Sequence, residues 1–257
     1  MAIIALKAWY LQHYEPLKEL EKRPHDLRLS KNSLLKSGLR ADFLDDRQDV
    51  KNSEWFGRYL DGETVEFYIE GSGGYAISNI DLSSHEIYFT KQEVMAQLEP
   101  IIFLSSQTEY NASSEALRDT LADTLETFNQ RSRLLLTLEV AGRSANEPLR
   151  LSSIQMRKIR KSLVFIADGT AIAKLEGEKT PLLIPSPQVC VEMGYALTAK
   201  RTEQILLVKM ERQDFPGQFP FDLPNYQQLL FREPEELKRT LPSVLETLLQ
   251  RFNLFTN

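Results

Sequence analysis

The sequence predicts a two-domain α/β protein. A smaller α+β domain covers residues 1–97, and a doubly wound, flavodoxin-like parallel sheet of about five strands covers residues 98–257. Three observations carry this expectation. The chain has 257 residues, more than one ordinary domain needs. Before residue 98, ETVEFYIE, GYAISNIDL and HEIYF read as half-buried strands, the first with clear period-two alternation. After it, short apolar runs (IIFLSS, LLLTLEV, LVFIAD, QILLVKM, YQQLLF) are separated by amphipathic stretches, as in a parallel sheet covered on both faces.

In the first domain, residues 2–22 read as helix interrupted by Pro16, with Trp9, Tyr10, Leu17 and Leu20 facing a core. Ser30 is placed to cap a short helix that Gly38 ends, and Ser53 to cap SEWFGRYL, which stops at Gly62. Val65, Phe67 and Ile69 form the buried face of the next strand. GSGG, residues 71–74, is a hairpin turn or a phosphate cradle; no helix with a Lys follows it, which favours the turn. Thr90-Lys91-Gln92-Glu93 fits a capping box and predicts a helix to Gln97, so the boundary falls near residue 98.

In the second domain, Ser113 or Ser114 caps a helix whose stripe is Leu117, Leu121, Leu125 and Phe128. Further helices run from Ser152 or Ser153 to Lys161 and from Pro187 to about Ala199, the latter with Ser186 as N-cap. The last is expected to break near Pro242, with Leu237, Leu241, Leu245, Leu248 and Phe252 on its apolar side. Right-handed crossovers favour the strand order 2-1-3-4-5, which opens a crevice at the carboxyl ends of strands 1 and 3.

Composition removes several function classes. With 36 acidic and 31 basic residues the formal charge is −5, against bulk nucleic-acid binding. Arg157, Lys158, Arg160 and Lys161 read as a solvated helix face. Cys190 is the only cysteine, so no intrachain disulfide forms and a cytoplasmic location is expected. His13, His25 and His85 are scattered, so no metal site is expected. No apolar run approaches the roughly 20 residues of a membrane span, and MAIIALKAWYLQHYEP lacks signal-peptide character.

At the crevice, strand 1 ends in Ser105-Ser106-Gln107 and strand 3 in Asp168. The helix starting at Pro187 directs its N-terminal dipole to the same rim, which favours an anion. Val189, Met193, Ala196 and Leu197 form its buried stripe, and Glu192 lies about 60° from Val189 at the stripe's margin. Glu192 is either a solvated helix residue or a carboxylate looking into the crevice. In the second case it can stabilise an oxocarbenium-like transition state or attack an anomeric carbon, with Asp168 or Asp222 as helper. Asp168 is otherwise a loop-capping residue. Cys190 lies about 160° from Glu192 and reads as an inert thiol.

SLVFIADGT, PSPQVCVEMGYALTAKRTEQILLVK and PFDLPNY together resemble the TIR-like predicted nucleotide-binding proteins of bacteria. The helix motif is also similar to that of nucleoside 2-deoxyribosyltransferases. The resemblance covers roughly residues 100–252. It implies a small-molecule nucleotide ligand, NAD-type or nucleoside, as substrate rather than cofactor, and a glutamate acting at the N-glycosidic bond. That glutamate corresponds to Glu192, and the strand-end aspartate to Asp168. On the same resemblance Ser105, Ser106, Gln107, Ser186, Gln188, Tyr195 and Asp222 lie on the nucleotide side. A non-catalytic nucleotide sensor, or an interaction module forming homo-oligomers through its surface, are the rival expectations. Pro-Ser-Pro-Gln-Val replaces the family's Asn-Pro-Asn-Val, and residues 169–185 form a longer connection, expected to act as a lid.

Overall fold

Strand pairing separates the chain into two units, Met1–Leu98 and Glu99–Asn257. The computed structural model describes residues 5–30, 40–91, 95–142, 152–176, 180–219, 224 and 227–255.

The first unit is a six-stranded antiparallel sheet. Its strands are β1 (Ala5–Tyr10), β2 (Leu27–Ser30), β3 (Arg40–Asp42), β4 (Glu66–Ile69), β5 (Gly73–Asp81) and β6 (Glu86–Lys91), in the order β2-β1-β4-β5-β6-β3. An antiparallel bridge between Leu29 and Phe43 joins the two edges, so the sheet is barrel-like. Inside lie Ala8, Tyr10, Leu27, Phe67, Ile69 and Phe89 with Trp55 of α3 (Glu54–Leu60). As expected, Ser53 caps α3 by accepting from the Phe56 amide at 3.3 Å, and Gly62 follows its end at φ +82°. Two further short helices, α1 (Leu17–Leu20) and α2 (Arg47–Asn52), belong to the unit.

Two expectations fail here. Of the helix expected over residues 2–22, residues 2–4 lie outside the described residues, and from residue 5 on β1 and the single turn of α1 take its place. Ala8 and Tyr10 enter the barrel core, while Trp9 packs with Leu20, Tyr68 and Ala96 outside it. A strand covered on both faces loses its period-two signature. Thr90 is likewise not a helix cap, because it lies in β6 and pairs with Ala76 of β5; residues 92–94 lie outside the described residues, and Met95–Gln97 forms a 3₁₀ turn. The helix expected between Ser30 and Gly38 lies outside the described residues, apart from Ser30, which ends β2.

The second unit is a five-stranded, fully parallel sheet of β7 (Glu99–Ser105), β8 (Thr137–Val140), β9 (Ser162–Asp168), β12 (Ile205–Met210) and β13 (Gln228–Phe231). Its order, β8-β7-β9-β12-β13, is 2-1-3-4-5 by position in the chain. β9, at the centre, is buried at every residue. Between β9 and β12 the connection forms a two-stranded antiparallel ribbon, β10 (Ala171–Leu175) with β11 (Leu182–Pro185).

Alternation along the strands feeds two cores. Phe103, Phe165, Ala167, Ile205 and Leu207 pack against α5 (Ser153–Lys161) and α6 (Pro187–Ala199), through Ile159, Val189, Met193 and Ala196. Ile102, Leu104, Val164, Ile166, Leu206 and Val208, also buried, therefore face the other side. There α4 (Asn111–Asn129) and α7 (Pro234–Gln250) pack together. The α4 stripe of Leu117, Leu121, Leu125 and Phe128 is buried as expected. α7 runs on through Pro242, and its stripe continues to Leu249 rather than Leu248. A stripe buried over this length holds the helix across one missing N–H. Leu197 is half exposed, contrary to its assignment to the α6 stripe.

Candidate active site at the carboxyl rim

Each side chain at the carboxyl rim follows from the face on which its strand leaves it. Ala167 belongs to the α5/α6 core, so the next residue, Asp168, turns towards α4. Phe103 belongs to that same core, so Ser105, two residues on, turns towards α6. The hydrogen bonds agree.

Asp168 is fully buried, and its Oδ2 accepts from the hydroxyls of Ser113 and Ser114, each at 2.7 Å. Its Oδ1 accepts from the Thr170 amide at 3.1 Å. Ser113 and Ser114 are thus not helix caps. α4 begins earlier, at Asn111, which turns both hydroxyls inward. Ser114 Oγ also accepts from the Gln107 amide at 3.0 Å, Gln107 Nε2 donates to the Thr170 carbonyl at 3.1 Å, and Thr170 Oγ1 accepts from the Met210 amide at 2.9 Å. One network therefore ties together the ends of β7, β9 and β12 and the first turn of α4.

Glu192, on the other face, is 3% exposed. Its Oε2 accepts from Ser105 Oγ at 2.5 Å, and its Oε1 accepts from Gln155 Nε2 on α5. Ser105 is fully buried and Gln155 half-buried, so the amide is the more exposed of the two partners. The Glu192 and Asp168 carboxylates share the rim but engage opposite faces of the sheet, so Asp168 does not converge on Glu192 as the expected helper.

The remaining expected residues scatter. Ser106 and Gln107 are buried behind β7. Ser186 stands at the N-cap of α6 but does not cap it; its hydroxyl donates to Glu109 Oε1 at 2.9 Å. Gln188 is half-buried in the first turn, and Tyr195 packs against the apolar core beside α6 with Phe219. Asp222 lies outside the described residues. In the basic cluster, Lys158 pairs with Glu139 and Lys161 with Glu99, as on a solvated helix face.

A cleft of about 810 Å³ opens beside Asp168, where the chain leaves β9, β12 and β13, lined by Gly169, Lys209, Arg212 and Phe219 among others. Within this connection, Gly169, Ala171 and Leu183 line the cleft. Sequence reading missed Lys209 and Arg212. The available signal was Lys209 itself, a cation placed late in the apolar run ILLVKM just before an aromatic-rich loop. Among the described residues, no group of three or more His, Cys, Asp or Glu could hold a metal ion, and no helix is long and apolar enough to cross a membrane.

No protein-family model matches this chain, and no curated protein does. Among solved structures it is similar to a metal-soaked Flv1 flavodiiron core from Synechocystis sp. PCC6803, at 13% identity and a TM-score of 0.35. That match covers 60% of this chain and 35% of the other, so the chain spans about a third of that structure's length.

Proposed function

We propose that residues 99–257 form a TIR-like nucleotide-binding domain, and that Glu192 acts at the N-glycosidic bond of an NAD-type or nucleoside substrate. The observation that carries this reading is the Glu192 carboxylate itself, at the carboxyl rim of a parallel sheet and aimed by Ser105 and Gln155. A carboxylate so held stabilises a ribosyl cation as it develops, because its direction is set before the bond breaks. Asp168 serves as scaffold, joining α4 to β9.

The test is turnover of NAD and of nucleosides by the purified protein beside Glu192→Gln. A loss of about a hundredfold or more in a variant that melts like wild type supports the assignment. Equal turnover by the two proteins refutes it.

One observation favours a second reading, a nucleotide sensor without chemistry: both Glu192 oxygens are already occupied by protein donors. Calorimetric binding of a nucleotide, with no product after hours of incubation, is its signature.

A further inference from the structure

The cleft beside β12 has the features of a second site, independent of Glu192. Among the described residues, its lining carries the cations Lys209, Arg212 and Arg232 and the carboxylates Glu211, Asp214 and Glu233. Arg232 Nε meets Glu211 Oε2 at 2.7 Å, and Arg212 Nε meets Asp214 Oδ1 at 3.1 Å. Arg212 is further fixed between the rings of Tyr110 and Phe215, at 4.2 and 4.1 Å, and donates to the Ala171 carbonyl at 2.9 Å.

Lys209 differs from both arginines. Its ammonium donates to the neutral amide oxygen of Gln228 at 2.9 Å and sits 4.1 Å from the centroid of the Phe219 ring. Among the described residues it forms no ion pair. Three N–H donors with one amide acceptor and one ring face leave capacity for an anion. Burial of this charge is costly, and an incoming anion offsets part of that cost.

The walls are built to keep their shape. A Cβ on Gly169 would stand 2.5 Å from Leu207 Cδ1, and one on Gly217 would stand 2.7 Å from the Pro181 carbonyl oxygen. β11 is also clamped to the opposite loop, where the Leu183 amide donates to the Gln218 carbonyl and the Gln218 amide to the Pro181 carbonyl, each at 2.9 Å. The cleft has a volume of about 810 Å³.

We propose that this cleft binds an anionic, ring-bearing small molecule, with Lys209 Nζ holding the phosphate or carboxylate and the Phe219 side of the cleft receiving the planar ring. The site stands whether or not Glu192 performs chemistry. It would give the domain a ligand contact where the chain leaves β9, β12 and β13.

Calorimetry with AMP, indole-3-acetate, adenosine and inorganic phosphate tests it. AMP and indole-3-acetate distinguish a phosphate-bearing from a carboxylate-bearing ligand; adenosine lacks the anion and phosphate lacks the ring. At least one of the two ring-bearing anions should bind, with adenosine and inorganic phosphate each about tenfold weaker or more. Lys209→Gln should lose about tenfold in affinity, Lys209→Arg should retain most of it, and Phe219→Leu should weaken it several-fold. Melting curves matching wild type establish that each variant is folded. Glu192→Gln should bind as wild type does, whatever its turnover. Absence of binding by both ring-bearing anions at millimolar concentration overturns the proposal. Unchanged affinity in a folded Lys209→Gln also overturns it, as does a loss confined to Glu192→Gln.

Discussion

Ser114 Oγ accepts the Gln107 amide at 3.0 Å and donates its own proton to Asp168 Oδ2 at 2.7 Å, joining β7 to β9 through the first turn of α4. Both groups are buried, so removing either partner leaves polar atoms that water does not reach. Ser114→Ala is expected to lower unfolding free energy by about 2 kcal/mol, because one Asp168 contact and the acceptor of the Gln107 amide go together. Asp168→Ala, which strands two hydroxyls and the Thr170 amide, should cost more. Asp168→Asn should cost less, since hydroxyls can turn to accept from an amide. Urea unfolding of the three variants checks this order.

Gln155 donates to Glu192 and is more exposed than Ser105, which also donates to it, so Gln155 is expected to shield that carboxylate from solvent. Carbodiimide coupling of Glu192 to an amine, followed by mass spectrometry, should be slow in the folded protein and several-fold faster in Gln155→Ala. Loss of one hydrogen bond to a charged group costs about 1.5–3 kcal/mol, so the variant should still fold. Equal labelling of both proteins would show that something other than Gln155 shields the carboxylate.

Gly169 follows Asp168 at the point where the chain leaves β9, and its requirement is steric. An alanine there would bring Cβ to 2.5 Å from Leu207 Cδ1, and Leu207 is a buried member of the α5/α6 core. Gly169→Ala is expected to destabilise by about 1–3 kcal/mol through overpacking. Leu207→Val removes the crowding atom, so the double variant should lose less than the sum of the singles. Urea midpoints in a double-mutant cycle measure that coupling.

The parallel sheet was legible because its strands are continuous apolar runs such as LVFIAD, bounded by helices with clear stripes such as Leu117, Leu121 and Leu125. Short-range pattern was enough there, and it also supplied the strand order through the crossover rule. Residues 5–10 were misread because Trp9 and Ala8 are both buried, on opposite faces, and no period survives. At the site, Glu192 was placed correctly on its helix. Its partner Gln155 was not, because that contact spans 37 residues and depends on how α5 packs beside α6. The Asp168 network depends on where α4 begins, and helix boundaries are weakly encoded. The cleft escaped notice because it needs the β10/β11 ribbon and the loop after β12 in place, and local pattern specifies neither.

Burial of Cys190 on α6 pushes its thiol above the ordinary value of 9.0. The thiolate is the reactive form, so at pH 7.5 the folded protein should react with iodoacetamide more slowly than a free thiol does. The rate should keep rising with pH beyond 9, where an unburied cysteine levels off. A reaction at pH 7.5 as fast as that of glutathione would contradict the burial.

Lys209 links the cleft to stability. Burial lowers its pKa from the ordinary 10.5, opposed by the neighbouring Glu211 carboxylate. In the unfolded chain the amine holds its proton up to the ordinary range, so between the two values the unfolded state binds more protons. Stability therefore rises with pH across that window, and below it the charged, partly buried amine imposes its full cost. Lys209→Met carries no such charge. The difference in stability, variant minus wild type, should be largest at neutral pH and shrink as pH climbs towards 10.5. The other charged groups lining the cleft, Glu211, Asp214, Glu233, Arg212 and Arg232, are present in both proteins. Their contributions cancel in the difference. Urea midpoints of the two proteins, taken at half-unit steps from pH 7 upwards, give the measurement. A difference independent of pH would place the amine in water rather than in the cleft wall.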